Sequence, residues 1–406
     1  MEHEREYRKG AGLGFVLAVY AASRLFYLIS GSILARVVPT SGFQRVTQDV
    51  PPGSMNVWSH WDGEHYVMLA ASGYLTPPEN VSPAFFPLYP LLVRSFAELF
   101  GGPLSNEALS LLATLISLIC LPFALYFLYH IALNEWGERV ARGSVLCLAF
   151  FPTAFFLNSA YTESLFLMLS AGSVWAMRVR KELLLACVLA GFASATRNVG
   201  VFLVVPIVLE WIKEGGVQRR GERWRVVYLA LVPSGLMVYM GYLWARFGDP
   251  FLFYSAQQDW GRRATGPLAT AGGAWASAVE GAGGLLDPDL WADPNLGNLA
   301  NHLAGAGNFF NLVFFVLAVF VLVAGSRDLP PSLTLYGLLL IAPATLFGTP
   351  GSPLMGTPRY VLVAFPIFIV LGLLSRNRLL FGGWLVFSTL ASLLLCGLFV
   401  SWRFVA

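Results

Sequence analysis

The chain alternates long apolar runs with short polar breaks. Runs approaching the roughly 20 residues that a membrane-crossing helix needs cover 11–36, 107–131, 143–158, 163–179, 182–197, 199–212, 226–246, 308–325, 331–347, 359–375 and 379–402. A further stretch, 83–100 (PAFFPLYPLLVRSFAELF), holds three prolines, an Arg and a Glu. The sidedness of the basic residues decides how to read it. If 83–100 stays out of the bilayer, the basic segment KEGGVQRRGERWR (213–225) lies on the same side as the basic N-terminus MEHEREYRKG. If it crosses, the two lie on opposite sides. We therefore read 83–100 as a pair of membrane-surface or re-entrant segments. The pattern predicts about eleven spans, a cytoplasmic N-terminus and an inner loop at 132–142. It also predicts two long extracytoplasmic loops, 37–106 and 247–307, rich in Trp, Tyr, Pro and Gly.

Composition agrees with the pattern. The chain is 56% hydrophobic and 12% charged, where a soluble domain is roughly 45–50% apolar and about 25% charged. With a mean hydropathy of +0.65, a soluble globular domain and a disordered chain are both excluded. The expectation is an all-α polytopic membrane protein with one domain over 1–406. The net charge of +3 reflects cytoplasmic loops and implies no nucleic-acid partner. Cys120, Cys147, Cys187 and Cys396 sit far apart in apolar runs, which suggests neither a disulfide framework nor a metal site. The first apolar run is too long for a signal-peptide core and reads as a retained helix.

Polar residues gather on the outer side. The densest group is Trp58-Ser59-His60-Trp61-Asp62-Gly63-Glu64-His65-Tyr66, before an expected surface helix at 64–72. Asp62 there reads equally as a helix cap or a catalytic carboxylate. His60 and His65 read equally as interface residues, and His-x-Asp is a weak zinc pattern. Ala84-Phe85-Phe86-Pro87-Leu88-Tyr89-Pro90 would shape a pocket wall. Asn158-Ser159-Ala160-Tyr161-Thr162-Glu163-Ser164 forms a short outer turn, with Glu163 opening the next helix near the membrane boundary. A carboxylate there is costly unless paired, so function and capping are both open. Arg197 and Asn198 lie in Ala195-Thr196-Arg197-Asn198-Val199-Gly200. Arg197 either snorkels to headgroups or binds an anion. Gln258, Trp260 and Arg262 lie in the second outer loop, and Arg359 and Tyr360 at the outer edge of a late span. These groups suit a lipid-linked anionic substrate, with phosphate at the interface and its tail between helices.

WSHWDGEHY, Ser72-Gly73-Tyr74, AFFPLYP, FFPTAFFLNSAYTESLF and ATRNVG occur in that order over roughly residues 58–212. The series resembles the PIG-V family of mannosyltransferases, within the GT-C superfamily of membrane glycosyltransferases. QQDWGRR and PRY give a thinner echo, and Ser82-Pro83 stands where an acidic residue is common. The compact chain resembles a prokaryotic homologue, which would place it in a plasma membrane. The resemblance implies a GT-C fold, a polyprenyl-phosphate sugar donor (mannose first) and a lipid or glycan acceptor. It implies Asp62 as the catalytic carboxylate of the first outer loop, with inversion at the anomeric carbon. Glu163 would orient hydroxyls; Arg197, Arg262, Arg359 and His65 would hold the donor phosphate. Trp61, His60, Glu64, Tyr89, Tyr161, Asn198, Gln258, Trp260 and Tyr360 would line the substrate pocket. No metal site is assigned; a divalent ion between Asp62 and Glu163 is not favoured. The competing readings are a lipid-linked sugar transporter, a GT-C enzyme using another sugar, and a membrane scaffold. A transporter would show ionisable residues or broken helices at mid-span, and neither is evident in the sequence.

Overall fold

The computed structural model describes residues 2–41, 56–75, 82–99, 101–102, 104–216, 218, 220–288, 292 and 295–405. Parts of the first outer loop (42–55 and 76–81), and Val217 and Arg219 of the basic segment, lie outside the described residues. The helices, in order, are α1 (Glu2–Val37), α2 (Asp62–Ser72), α3 (Leu88–Leu99), α4 (Asn106–Ala149), α5 (Glu163–Trp175), α6 (Leu183–Thr196), α7 (Val204–Lys213), α8 (Ser234–Phe247) and α9 (Leu252–Ser255). They continue as α10 (Pro267–Leu285), α11 (Leu296–Gly305), α12 (Gly307–Ala324), α13 (Pro331–Ile341), α14 (Pro343–Leu346), α15 (Thr357–Val363), α16 (Pro366–Leu373) and α17 (Arg378–Val400). Two residues each of β1 (Arg263–Ala264) and β2 (Phe347–Gly348) pair antiparallel, Arg263 opposite Gly348.

The apolar runs fall on helices with two apolar faces. In α1 the buried stripe is Val16, Val19, Ser23, Tyr27 and Gly31, at helical spacing. The opposite stripe, Leu13, Leu17, Leu25, Ile29, Ile33 and Val37, is exposed. Leu111, Leu115, Ile119 and Phe123 repeat this on α4. Such outward apolar stripes belong against lipid. Among the described residues, Gly12–Val37, Asn106–Ala149, Gly307–Arg327 and Arg378–Val400 are each long and apolar enough to cross a membrane. Two bent pairs could each form one further span. One is Arg223–Leu231 with Ser234–Phe247, bent by 44°; the other is Thr357–Val363 with Pro366–Arg376, bent by 76°. Leu183–Thr196 and Pro331–Leu346 are apolar but shorter.

Two local expectations differ from the structure. The break expected at 132–142 is present but is one residue long: α4 is two helices that meet at Gly137 (φ 80°, ψ 176°), with helical residues on both sides of it. A glycine adopts that conformation without steric cost, so the chain changes direction without a loop. The late span at 359–375 is broken between α15 and α16, ahead of Pro366. The 83–100 stretch forms a 3-10 turn (Ser82–Ala84) and the 12-residue α3. The surface helix expected at 64–72 begins at Asp62.

Glycines let helices touch backbone to backbone, as in membrane bundles. A Cβ on Gly143 would lie 2.8 Å from the Gly372 carbonyl oxygen, and one on Gly235 would lie 2.2 Å from the Gly191 carbonyl oxygen. Gly200, just after Arg197, is also pressed against backbone: its Cβ would fall 2.5 Å from the Ala193 and Ser194 backbone. Gly200→Ala should cost about 1–3 kcal/mol. Gly14→Ala, where a Cβ meets nothing within 4 Å, should cost nothing. Thermal unfolding of the detergent-solubilised variants checks this, and equal midpoints would refute it.

Candidate functional site

The WSHWDGEHY segment is anchored from three sides. Asn56 accepts from the Trp58 amide at 3.3 Å and donates to Thr114 Oγ1 at 3.1 Å. Ser59 and Ser110 hydroxyls meet at 2.5 Å. The Trp58 indole lies against α1, where a Cβ on Gly31 would be 2.5 Å from the ring. The chain then turns at Trp61, which takes φ 59° and ψ −122°. A bulky residue there carries strain of about 1–3 kcal/mol. Trp61 is the residue preceding the helix, and Asp62 is the first helical residue. The Asp62 side chain reaches Arg359.

The Asn158–Glu163 turn is stitched to that segment. The Ala160 amide donates to the Trp58 carbonyl at 2.8 Å, and Tyr161 Oη donates to the His60 carbonyl at 2.9 Å. Behind it, Arg24 of α1 donates to Asn158 Oδ1 at 2.5 Å, the Ala154 carbonyl at 3.2 Å and the Ala149 carbonyl at 3.0 Å. Glu163 therefore opens α5 from a fixed turn and is fully buried.

Arg359 joins the two carboxylates. Gly356 precedes α15 at φ 86°, and Pro358 sits in its first turn. From there Arg359 Nη1 donates to Asp62 Oδ2, and its Nε donates to Glu163 Oε1 at 2.6 Å. The guanidinium lies 4.6 Å from the Tyr161 ring centre and 5.6 Å from that of Phe156. Arg197 Nη2 reaches the same Glu163 Oε1 at 3.2 Å. Arg262 Nη1 donates to Tyr360 Oη at 2.9 Å. A Cβ at Gly356 would lie 3.3 Å from Arg262 Nη2, so glycine permits that approach.

Besides Asn158 Nδ2 and Thr162 Oγ1 in the turn, two buried atoms of the ion-pair network itself have no hydrogen-bond partner among the described residues. They are Glu163 Oε2, an acceptor, and Arg197 Nη1, a donor. Buried polar atoms are rarely left so. Arg197, Arg262 and Arg359 against Asp62 and Glu163 leave one positive charge in excess.

Burial alone would raise the Asp62 carboxyl. The Arg359 charge and hydrogen bond, with His65 and Arg262, hold it below its ordinary value. Burial pushes the His65 imidazole down, and Asp62 offsets part of that. His65, three residues after Asp62, stacks on Phe85 at 4.8 Å and meets the Trp260 edge at 5.5 Å. Burial raises the Tyr66 hydroxyl to about 12.

The structure thus brings Asp62, Glu163, Arg197 and Arg359 into one hydrogen-bonded network, with Tyr161, Tyr360, Arg262 and His65 around it. Phe85, of AFFPLYP, is held by Tyr74 of the SGY motif, whose Oη donates to its carbonyl at 2.6 Å. Two of the other expected pocket residues are held elsewhere. Tyr89 is in the core, donating to the Ala113 carbonyl at 2.7 Å. His60 stacks on Trp402 at 3.9 Å, with its Nδ1 3.2 Å from the Phe399 carbonyl. Asn198 is exposed, and its Oδ1 accepts from the Val199 amide. Gln258 is exposed, Trp260 half-buried and Glu64 buried. Trp61 meets the Phe404 ring edge-on at 5.3 Å.

Sequence reasoning passed over three buried arginines: Arg24, Arg178 and Arg403. Arg24 stands inside an apolar run, which was signal enough. Arg178 pairs with Glu135 and Glu210, and Ser332 joins them. Ionisable residues and a broken helix do occur within the apolar segments, contrary to the expectation. Among the described residues, no group of three or more His, Cys, Asp or Glu converges. The cation between Asp62 and Glu163 is the Arg359 guanidinium.

Sequence comparison places the first half of this network. Residues 13–211 match the mannosyltransferase (PIG-V) family. That PIG-V-like segment holds Asp62, Glu163 and Arg197; Arg262 and Arg359 lie beyond it. The chain is 35% identical over 121 residues to GPI mannosyltransferase 2 of Drosophila pseudoobscura pseudoobscura, covering 28% of this chain and 25% of that one. It is 30% identical over 177 residues to GPI alpha-1,6-mannosyltransferase 2 of Homo sapiens, covering 42% of this chain and 34% of that one. The matches thus span a quarter to a third of these curated relatives. Among solved structures, ArnT from Cupriavidus metallidurans bound to undecaprenyl phosphate aligns over 90% of this chain and 60% of its own, at 15% identity and TM-score 0.47. The apo Archaeoglobus fulgidus oligosaccharyltransferase aligns over 95% and 56%, at 12% identity and TM-score 0.47.

Removing one partner of a buried ion pair costs about 3–5 kcal/mol. Glu163→Leu should lose stability in that range, because Arg359 and Arg197 both lose their shared oxygen. Glu163→Leu combined with Arg359→Met should recover part of the loss. A double-mutant cycle in thermal unfolding measures the coupling, and additive losses would refute the bridge.

Proposed function

We propose that this integral membrane protein is a mannosyltransferase working on the extracytoplasmic face of a prokaryotic plasma membrane, its N-terminus in the cytoplasm. The donor is a polyprenyl-phosphate mannose, and the acceptor is a lipid or glycan hydroxyl. The observation that carries this reading is the buried pair of uncommitted atoms, Glu163 Oε2 and Arg197 Nη1, beside the Asp62–Arg359 ion pair. An acceptor for hydroxyls and a donor for phosphate oxygens stand in one network that holds excess positive charge. The match of residues 13–211 to a mannosyltransferase family supports mannose as the sugar.

The proposed chemistry is a single displacement. The acceptor hydroxyl oxygen bonds to the anomeric carbon as the bond from that carbon to the phosphate oxygen breaks, with inversion. The hydroxyl proton passes to an Asp62 oxygen. Arg197, Arg262 and Arg359 take up the charge developing on the phosphate. His65, biased toward its neutral form, acts as a hydrogen-bonding ring rather than a cation. Glu163 orients hydroxyls through Oε2. Asp62 and Glu163 already converge on a guanidinium, so the reaction is proposed to need no divalent ion. Mutants of a positioned base lose about 10²–10⁴-fold. Asp62→Asn should fall in that range for transfer from labelled polyprenyl-phosphate mannose, while Glu64→Gln keeps more. Full activity in Asp62→Asn would overturn the reading.

The acid side of the pH profile follows from the Asp62 environment. Asp62 must be ionised to accept a proton. Its carboxyl is held below the ordinary value, so activity should persist as pH falls through the usual carboxylate range. Loss should come only as pH falls through the depressed value. In Arg359→Gln burial acts with its main opponent removed, so the acid limb of the residual kcat/KM should move to higher pH. An unmoved limb would separate Arg359 from Asp62 ionisation.

A further inference from the structure

A polar cleft of about 570 Å³ lies between α10, α11, the start of α12 and the turn at Gly351. Ligand pockets typically span 300–1,000 Å³. None of the network residues described above lines it. Its side chains are preset as hydrogen-bonding groups. Arg403 donates to Asn301 Oδ1 through Nε at 3.0 Å and Nη2 at 2.8 Å. The polar atom Asn301 has left is its amide donor. His302 sets Nδ1 2.9 Å from the Gly284 carbonyl. That oxygen can only accept, so Nδ1 carries the hydrogen and Nε2 of the neutral ring is an acceptor. Glu280 adds a carboxylate and Ser277 a hydroxyl. Asn308 donates to the Gly351 carbonyl at 2.7 Å and accepts from Ser352 Oγ at 2.7 Å, which holds the turn as a wall.

Three features specify the ligand. Among the described residues, no Lys or Arg lines the cleft and a carboxylate does, which disfavours phosphate. The mixture of donors and acceptors matches hydroxyl groups, each of which both donates and accepts. The outward side chains of α10, Leu268, Trp275 and Val279, are 90%, 68% and 56% exposed. An apolar face with a Trp belongs at a membrane interface. The cleft is also tied to the network: Gly351 lies in the segment that leads through Gly356 to Arg359.

We propose that this cleft binds a neutral polyhydroxylated group, a sugar or polyol head, on the acceptor side of the reaction. Its role there rests on the mannosyltransferase reading; the binding itself does not. The test uses the full chain in lipid nanodiscs, with octyl mannoside, methyl mannoside and octyl phosphate as probes in ligand-detected NMR titrations. Gly284→Phe fills the cleft from a position where a Cβ meets nothing within 4 Å, and Glu280→Gln removes the charge. Each should weaken mannoside binding at least tenfold with an unchanged thermal midpoint. Equal affinity of methyl and octyl mannoside would assign a free glycan; stronger octyl mannoside binding would assign a lipid head group. Wild-type binding that neither variant weakens would overturn the proposal. So would absence of mannoside binding, or octyl phosphate as the ligand the variants release. If Gly284→Phe does not fold, Glu280→Gln decides alone. Failure of the transferase reading would appear separately, as wild-type protein that binds mannoside at this cleft and transfers no mannose.

Discussion

A guanidinium taken out of water must be matched by anions that are themselves taken out of water. Arg359 meets that requirement with two carboxylates, one from α2 and one from α5. The desolvation of all three groups is costly, and only close geometry offsets it. That constraint sets where α15, α2 and the Asn158–Glu163 turn can lie relative to one another. The backbone bonds around Trp58, His60 and Ala160 then read as the means of holding the geometry. Strain at Trp61 is tolerated because hydrogen bonds and packing on both sides fix the segment.

The buried arginines divide by what their donors do. Arg24 directs its donors to carbonyl oxygens at the end of α4 and the following turn, and to Asn158 and Ser23. It fastens backbone. Arg178 is matched by Glu135, Glu210 and Ser332 and fastens helices. Arg403 is matched by Asn301, Ser401 and the Pro39 carbonyl and braces the C-terminal segment against the outer loops. Arg197, only partly buried, differs from these three in keeping one buried donor, Nη1, without a partner among the described residues. Burial of an arginine is therefore not the feature that marks a binding group here. An unmatched donor beside an unmatched acceptor is.

Much of this was legible in the sequence, and the illegible part has a physical cause. Periodicity and hydropathy are local, so the apolar helices and the surface helix expected at 64–72 could be read directly. Asp62, Glu163 and Arg197 stood out because polar residues interrupt apolar surroundings. The pairing of Asp62 with Arg359 could not be read, since 297 residues separate them and no local pattern records the contact. The break expected at 132–142 falls at Gly137, and it is shorter than expected because one residue at positive φ does the work of a turn. His60 and Tyr89 lie in motif-like segments, yet one packs against the C-terminal segment and the other enters the core. A motif identifies residues that act together, and only the fold separates those that join the Asp62–Glu163–Arg359 network from those that brace it.

The same bridge sets a tension in the proposed chemistry. An ion pair keeps Asp62 ionised, but lowering its proton affinity also weakens it as a base. Arg359 is the group that does both. A phosphate arriving at the arginines would compete with Asp62 for that guanidinium. Any loosening of the Asp62–Arg359 bond leaves burial less opposed, and proton affinity at Asp62 rises. Donor binding and base strength would then be coupled through one side chain. On the proposed mechanism, the Arg359 charge would turn to the leaving group as the carboxylate became better able to take the acceptor proton. Glu163 would keep Arg359 in place through Nε while Nη1 changed partner, a division of labour that two carboxylates on one guanidinium permit.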